Sequence, residues 1–210
     1  MSAAGSIVVS RPATPAELVL LFHGVGATAA DLLPLAQLIA KSQPQAMVVS
    51  VEAPFPTGGG AARQWFSVQG VTETNRAQRV AQALPVFTQT VAQWQADAGI
   101  AAQGTTLVGF SQGAIMSLES TQAEPLPAQR VVSLAGRFAA PVRRATPRTV
   151  FHLVHGDQDG VVPHGHSVQA AKELGQFGAT VTLDVLPGLG HGIDGRVARL
   201  VLAYLAAGKT

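Results

Sequence analysis

The sequence predicts an α/β fold in which a mostly parallel sheet carries helices on both faces. Apolar, strand-like runs alternate with helical patterns over the whole of its 210 residues, which is typical of consecutive βαβ units. Some runs, such as residues 18–22, are apolar at every position, as expected of strands covered on both sides. Hydrophobic residues make up 47% of the chain, enough for one sizeable core. We therefore expect a single domain over residues 1–210.

Seven apolar or alternating runs predict the strands. In chain order they cover residues 6–9, 18–22, 47–51, 105–108, 131–134, 150–154 and 181–185. The first run is short and leads into a proline-rich connection, so we place it at or near an edge of the sheet. In the last run, Val181, Leu183 and Val185 alternate with polar residues, which is the period of a strand.

Helical patterns fill the gaps between these runs. Asp31 is predicted to be an N-cap, and Pro34 falls in the first turn of the helix that follows, where its missing N–H is harmless. Further helices are expected after residue 113, over residues 167–177 and at the C-terminus. The longest pattern has an apolar face formed by Val80, Leu84, Phe87, Val91 and Trp94. Because Pro85 lies inside that pattern, we expect a kink or a break there.

Charge and composition exclude several function classes. The chain has 14 Lys and Arg against 12 Asp and Glu, and a net charge of +2 is too small to favour nucleic acid or an anionic membrane. It has no cysteine, which excludes disulfides, thiolate metal sites and cysteine nucleophiles. Mean hydropathy is positive at +0.27, yet the apolar runs are shorter than a membrane span and no signal peptide is visible. We expect a soluble cytoplasmic protein.

The pentapeptide Gly109-Phe110-Ser111-Gln112-Gly113 lies between a predicted strand and a predicted helix. In that context a Gly-x-Ser-x-Gly turn holds its central residue in a strained conformation, with the hydroxyl above the carboxyl edge of the sheet. The flanking glycines are explained by crowding, because a Cβ at either position would collide where the chain reverses. The pattern predicts that Ser111 is a covalent nucleophile.

A serine nucleophile needs a base, and an acid that orients the base, at the ends of other strands. Of the six histidines, His191 is best placed, because it follows the last strand between two glycines that leave its ring accessible. The alternative is that His191 caps the last helix. The acid should lie between the serine and the histidine in the chain. We favour Asp159, which starts a turn after a strand, because Asp184 in the last strand and Asp194 just past His191 are less well placed. Asp157 is interpreted as a turn residue that bonds its own backbone.

The developing negative charge on the reacting carbonyl needs backbone N–H donors. One is expected from Gln112, at the amino end of a helix whose dipole favours anions. The other is expected from Val25, in the glycine-rich loop after residue 22. His23 in that loop is interpreted as holding the loop in shape.

A metal site is the competing interpretation of the histidines. His152 and His155, with the Asp and His residues that follow them, form a possible ligand cluster on paper. Side chains along a strand alternate between its faces, so these two should diverge. We therefore expect no metal and no organic cofactor.

Four segments together resemble the phospholipase/carboxylesterase family, which includes acyl-protein thioesterases and small bacterial esterases. They are residues 22–26, 109–114, 155–163 and 190–191. The resemblance implies the α/β-hydrolase fold with no large cap domain, a triad of Ser111, Asp159 and His191, and Val25 and Gln112 as oxyanion donors. It also implies that Trp65 and Phe66 lie in a loop beside the acyl site, where ordinary packing is the alternative role.

Departures from the family pattern point to a bacterial-type small esterase. Ala27 replaces a frequent acidic residue, Ala114 replaces a frequent glycine, and residues 58–60 are all glycine. We expect a serine carboxylesterase or thioesterase acting on a small-molecule ester or thioester, as a monomer or homodimer. The alternatives are a lysophospholipase or lipase of the same fold and a non-catalytic binding module.

Overall fold

The computed structural model describes residues 5–207 and contains two sheets and five α-helices. The strands are β1 (Ile7–Ser10), β2 (Glu17–Phe22), β3 (Ala46–Val51), β4 (Phe55–Pro56), β5 (Arg63–Gln64), β6 (Thr105–Phe110), β7 (Arg130–Leu134), β8 (Val150–Gly156) and β9 (Thr180–Leu186). The helices are α1 (Leu33–Ser42), α2 (Glu73–Ala98), α3 (Gln112–Glu119), α4 (Gly165–Gln176) and α5 (Gly195–Ala206).

The large sheet has seven strands in the order β1-β3-β2-β6-β7-β8-β9. Only the β1–β3 pairing is antiparallel, so the mostly parallel sheet and the position of the first strand at its edge are confirmed. All seven predicted strands occur, with ends that differ by at most two residues. The hairpin of β4 and β5 has two residues in each strand, too short to show a periodic pattern.

Helices cover both faces of the sheet. In β2, Leu18, Leu20 and Phe22 belong to a core cluster with α2 and α3, whereas Val19 and Leu21 belong to a cluster with α1 and α5. Helix α4 packs on β8 and β9. Burial on both faces explains why β2 is apolar at every position. The architecture is the α/β-hydrolase fold, and residues 5–207 contain no large cap.

Of the kink or break predicted at Pro85, the break is wrong, because α2 continues through this residue, and the kink stays a prediction. Its buried face includes Phe87, Val91 and Trp94, which lie against the sheet. Burying such side chains contributes about 1.5–3 kcal/mol each, which together exceeds the roughly 3 kcal/mol cost of proline inside a helix. Packing against the sheet therefore decides the outcome at this position.

The start of α1 also differs from the prediction. Leu32 is its N-cap, while Asp31 lies in a preceding 3-10 turn and accepts hydrogen bonds of 2.8 Å from the backbone N–H and the hydroxyl of Thr28. Pro34 is in the first turn of α1, as predicted.

No helix within residues 5–207 is both long enough and apolar enough to cross a bilayer.

Candidate active site

The turn between β6 and α3 holds Ser111 in an unusual conformation. Its φ of 52° and ψ of −114° lie in a backbone region that residues other than glycine rarely adopt. A Cβ on Gly109 would lie 2.5 Å from the backbone of Ala114, and a Cβ on Gly113 would lie 2.1 Å from the Phe22 carbonyl oxygen. Both glycines are thus required by close backbone approach, which is the crowding inferred from the sequence.

The structure brings three predicted side chains into one line at the carboxyl edge of the sheet. The Ser111 Oγ lies 2.9 Å from His191 Nε2, and His191 Nδ1 lies 2.7 Å from Asp159 Oδ2. A carboxylate can only accept, so the imidazole proton is on Nδ1 and Nε2 is free to accept from the Ser111 hydroxyl. The three residues follow β6, β8 and β9, whose parallel direction brings their carboxyl ends to the same edge.

Asp159 is held ionised inside the protein. Its side chain is fully buried, and its Oδ1 accepts hydrogen bonds from the Val161 N–H at 2.9 Å and the Val162 N–H at 2.8 Å. Burial by itself raises the pKa of Asp159, but the hydrogen bonds from His191 and these two amides outweigh it and hold the pKa below its ordinary value. The negative charge is therefore available to His191.

A second histidine contacts the same carboxylate. His155 Nε2 lies 2.8 Å from the Val162 carbonyl oxygen and 3.2 Å from Asp159 Oδ2, and its Nδ1 lies 2.7 Å from Ser167 Oγ. Burial lowers the pKa of His155 despite the nearby carboxylate, so the ring is neutral with its proton on Nε2. From the sequence, His155 is considered only as a possible metal ligand, not as a partner of Asp159. Its position at a strand end, within the segment that holds Asp159, is the signal that was available.

The loops that hold Asp159 and His191 are bonded to each other. Asp157 Oδ1 accepts from the Gly188 N–H at 2.7 Å, and the Gln158 N–H donates to the Leu189 carbonyl at 3.0 Å. A Cβ on Gly156 would lie 2.0 Å from the Leu189 oxygen, so the two backbones are in direct contact. The interpretation of Asp157 as a residue that bonds its own turn is therefore wrong.

The competing acids have other partners. Asp194 is the N-cap of α5 and accepts from the N–H groups of Arg196 and Val197, so it takes the capping role considered for His191. Asp184 accepts a short hydrogen bond from the Tyr204 hydroxyl. Asp159 is the acid that reaches His191.

The two predicted oxyanion donors flank Ser111. Gln112 is the first residue of α3, so its N–H has no carbonyl one turn earlier to bond. Within residues 5–207, no hydrogen bond uses the Val25 N–H. Val25, Gln112 and Ser111 line one cavity. Both amides are therefore free to bind a substrate oxygen.

His23 supports the shape of the loop that carries Val25. Its Nε2 accepts from the Ala53 N–H at 3.1 Å, and its Nδ1 lies 2.8 Å from the Gly24 carbonyl. Burial lowers the pKa of His23, so it stays neutral and joins this loop to the segment after β3. These contacts agree with the structural role predicted for it.

The Gln112 side chain holds the loop of Trp65 and Phe66. Its Oε1 accepts from the Trp65 N–H and its Nε2 donates to the Phe66 carbonyl, both at 2.8 Å. Trp65 is only 2% exposed, packs against Phe22 and Phe87, and donates from Nε1 to the His23 carbonyl at 2.9 Å. Trp65 is thus a core residue that does not line this cavity, which favours the alternative role of ordinary packing. Phe66 does line the cavity.

The cavity beside Ser111 has a volume of about 310 Å³ and a mostly apolar wall. The apolar side chains come from several loops and from α3: Val25, Phe66, Val68, Val71, Ile115, Val161, Val162 and Pro163. A larger cavity of about 710 Å³ is also lined by Phe66, but Ser111 does not line it. The chemistry therefore belongs to the smaller cavity.

The histidines considered as metal ligands lie apart. His152 stacks on Tyr204 and its Nδ1 lies 2.7 Å from Thr182 Oγ1, whereas His155 lies beside Asp159. In the part of the chain that the structure describes, no three His, Asp or Glu side chains are grouped closely enough to hold a metal ion.

A family model described as phospholipase/carboxylesterase matches residues 3–208, nearly the whole chain. The chain belongs to this family. Membership places the protein among hydrolases of esters and thioesters with the α/β-hydrolase fold.

Individual relatives agree with the family. Esterase YpfH of Escherichia coli K12 is 46% identical over 199 residues, which cover 94% of this chain and 86% of the relative. Acyl-protein thioesterase 1 of Kluyveromyces lactis is 28% identical over 190 residues, or 80% of each chain. The crystal structure of esterase PE8 superimposes with a TM-score of 0.85 at 29% identity, covering 98% of both chains.

Proposed function

We propose that the protein is a serine carboxylesterase or thioesterase that hydrolyses small or medium acyl esters through an acyl-enzyme. The observation that carries this proposal is the continuous line of hydrogen bonds from Ser111 through His191 to Asp159, at 2.9 and 2.7 Å. The strained backbone at Ser111 supports it, because such strain is characteristic of a nucleophile held in an exposed turn.

In the first half-reaction, Ser111 Oγ attacks the acyl carbonyl carbon while His191 Nε2 takes the hydroxyl proton. The resulting imidazolium is stabilised by the ionised Asp159, which also fixes the tautomer. The Val25 and Gln112 N–H groups bind the oxyanion of the tetrahedral intermediate. Its collapse expels the alcohol or thiol, which receives the proton from His191.

In the second half-reaction, water replaces the leaving group. His191 takes a proton from the water as it attacks the acyl-enzyme, and the second tetrahedral intermediate uses the same oxyanion donors. Collapse returns the proton to Ser111 Oγ and releases the carboxylic acid. These steps balance with substrate and water alone, so the scheme needs no metal or organic cofactor.

The cavity supports a preference for short or medium acyl groups. Its volume of about 310 Å³ lies at the lower end of the roughly 300–1,000 Å³ typical of ligand pockets. Phe66, Val68, Val71 and Ile115 supply a wall suited to a hydrocarbon chain.

Replacing the nucleophile tests the proposal directly. Ser111→Ala should lower kcat for p-nitrophenyl butyrate by roughly 10³-fold or more, because the variant lacks the oxygen that attacks the carbonyl carbon and forms the acyl-enzyme. The midpoint of urea unfolding should be the same for the variant and the wild type. The wild type should also be labelled by a fluorophosphonate probe that does not label Ser111→Ala. Substantial residual turnover in the variant would refute the assignment, and an unlabelled, inactive wild type would favour a binding module.

A further inference from the structure

The cavity beside Ser111 has one charged end. Along with the apolar side chains, Glu73, Arg76, Arg137 and His166 line it. Glu73 and Arg76 lie in the first turns of α2, whereas Arg137 follows β7. A purely hydrocarbon acyl group gives no reason for two guanidinium groups in the same small cavity.

The two arginines differ in the number of hydrogen bonds that they donate. Arg137 binds both carboxylate oxygens of Glu73, at 3.1 and 2.8 Å, and its Nε donates to the Phe138 carbonyl at 3.2 Å. Arg76 makes one bond, from Nη1 to Glu73 Oε1 at 3.0 Å. Arg137 thus links α2 to the segment after β7. Arg76 is the arginine whose remaining N–H groups have no protein acceptor among the described residues.

Arg76 is partly buried and most of its N–H groups have no protein acceptor in the described part of the chain. Its side chain is 17% exposed, whereas its partner Glu73 is 67% exposed. Only one of its five N–H groups donates to a residue within 5–207. The remaining N–H groups of Arg76 still reach solvent at the cavity, so they are available to a ligand that brings acceptor oxygens.

The net charge at this end of the cavity is positive. Two guanidinium groups face one carboxylate, which leaves one positive charge uncompensated. Burial, followed by the charge of Arg137, lowers the pKa of His166, so this histidine is neutral near pH 7 and does not change the balance. The cavity thus combines an apolar wall with a single unbalanced cation.

Building on the serine hydrolase function proposed above, we propose that Arg76 binds a carboxylate carried by the ester that Ser111 attacks. The planar guanidinium fork matches a carboxylate through two parallel hydrogen bonds, which fixes orientation as well as affinity. The substrate class is then a half-ester of a dicarboxylic acid, or an acyl ester whose alcohol carries the carboxylate. Arg76 is the specificity-determining residue for either form.

Two matched pairs of substrates show whether the carboxylate belongs to the acyl group or to the leaving group. The first is 4-nitrophenyl hydrogen adipate against its neutral methyl ester, which places the carboxylate on the acyl side. The second is 4-carboxyphenyl butyrate against 4-(methoxycarbonyl)phenyl butyrate, which places it on the leaving group. kcat/KM is measured for all four with the wild type, Arg76→Gln and Arg76→Lys, after subtraction of the rate with Ser111→Ala.

A charge-matched control is Arg11→Gln, since Arg11 forms an exposed ion pair with Asp97 remote from the cavity. Arg76→Gln should lower kcat/KM for the acid member of one pair by roughly 10- to 100-fold, the usual range for a lost hydrogen bond to a charged group. The neutral member should change by less than about threefold, as should all four substrates with Arg11→Gln. Arg76→Lys should retain part of the preference for the acid. The pair that responds identifies the source of the carboxylate.

Equal losses on acid and neutral esters would show that Arg76 only supports the structure, and unchanged values would show that it does not contact the substrate. Either result overturns this inference while Ser111-dependent hydrolysis of the neutral esters upholds the proposed function. A wild type that hydrolyses none of the four substrates would overturn both.

Discussion

His155 shows how one side chain outside the proposed triad can act on it. Its neutral ring contacts Asp159 Oδ2 at 3.2 Å while the Val162 carbonyl and Ser167 hold the ring in place. Asp159 Oδ2 is also the atom that accepts from His191. The position of His155 is that of a positioning residue for the proposed triad, because it contacts the oxygen that accepts from His191.

Replacement of His155 by leucine should affect both rate and stability. We expect kcat for p-nitrophenyl butyrate to fall roughly tenfold or more with KM nearly unchanged, because the carboxylate loses one of the groups that orient it. Unfolding free energy should fall by about 1–3 kcal/mol, because Ser167 Oγ and the Val162 carbonyl lose a buried partner. Steady-state kinetics and urea unfolding measure the two effects. The matched control is His164→Gln at the start of α4, and an unchanged kcat in His155→Leu would contradict the positioning role.

Single residues were predictable where local sequence carries the constraint. Glycines around Ser111 and His191, and the apolar run after Asp159, mark loops at strand ends, and the structure brings these three side chains into contact. The contacts of His155 and of the Gln112 side chain were not predicted. The Gln112 side chain joins segments that are far apart in the chain, since Trp65 and Gln112 are 47 positions apart, and no local pattern encodes that contact.

The elbow between β6 and α3 depends on an element remote in sequence. Gly113, in the first turn of α3, lies against the last carbonyl of β2, and a Cβ there would approach the Phe22 oxygen to 2.1 Å. Backbone cannot move aside as a flexible side chain can. The packing of a helix on a central strand therefore limits the residue at this position to glycine.

Gly113→Ala tests this contact between elements. We expect the unfolding free energy to fall by about 3 kcal/mol or more, at the upper end of the range for overpacking, because β2 or α3 must shift. Hydrolysis should fall as well, since Ser111 is two residues away. The control is Gly175→Ala in α4, where a Cβ meets no atom within 4 Å and helix propensity favours alanine by about 0.5–1 kcal/mol. Equal urea midpoints for the two variants would refute the expectation.

At the same scale, the elements that were mispredicted were governed by tertiary contacts. Pro85 favours a break, yet the apolar face of α2 is anchored to the sheet on both sides of it. Asp31 is a good capping residue, but its carboxylate closes the earlier turn begun by Thr28. In both cases the local preference is real and a competing contact outweighs it.

For the whole molecule, buried neutral histidines make stability sensitive to acid. Burial lowers the pKa of His23, His152, His155 and His166, and that of His152 to about 4. The unfolded chain binds these protons near pH 6.5, whereas the folded protein does not. The contribution of these histidines to the unfolding free energy is therefore complete above pH 6.5 and is lost as the pH falls below it. Carboxylates with lowered pKa values, such as Asp159, add losses only at lower pH.

Urea unfolding at pH 7.5 and pH 4.5 measures this effect. His152 alone should account for roughly 2–3 kcal/mol of the decrease, at about 1.4 kcal/mol for each unit of pKa shift. In His152→Phe, whose ring can still stack on Tyr204, the decrease between the two pH values should be smaller by that amount. His164→Gln should keep the wild-type decrease. An identical pH dependence in His152→Phe would rule out this origin of the acid sensitivity.

The order of strands is the feature of the whole molecule that the sequence could not provide. Alternating strand and helix patterns predict a parallel sheet, but they do not say which strands are neighbours. The observed order places β6 directly beside β2, so the loop with Val25 lies next to Ser111. That pairing joins residues more than 80 positions apart and depends on the whole set of helices packed on the sheet.

The backbone and the side chain of Gln112 have different partners, which matters for any redesign of the protein. Gln112 lines the cavity beside Ser111, and its side-chain amide holds the backbone of Trp65 and Phe66, whose loop forms part of the wall. Reshaping that wall to admit longer chains moves a segment tied to the residue proposed as an oxyanion donor. Substrate range and turnover are therefore coupled at this position, and a library that varies residues 65 and 66 should keep Gln112 constant.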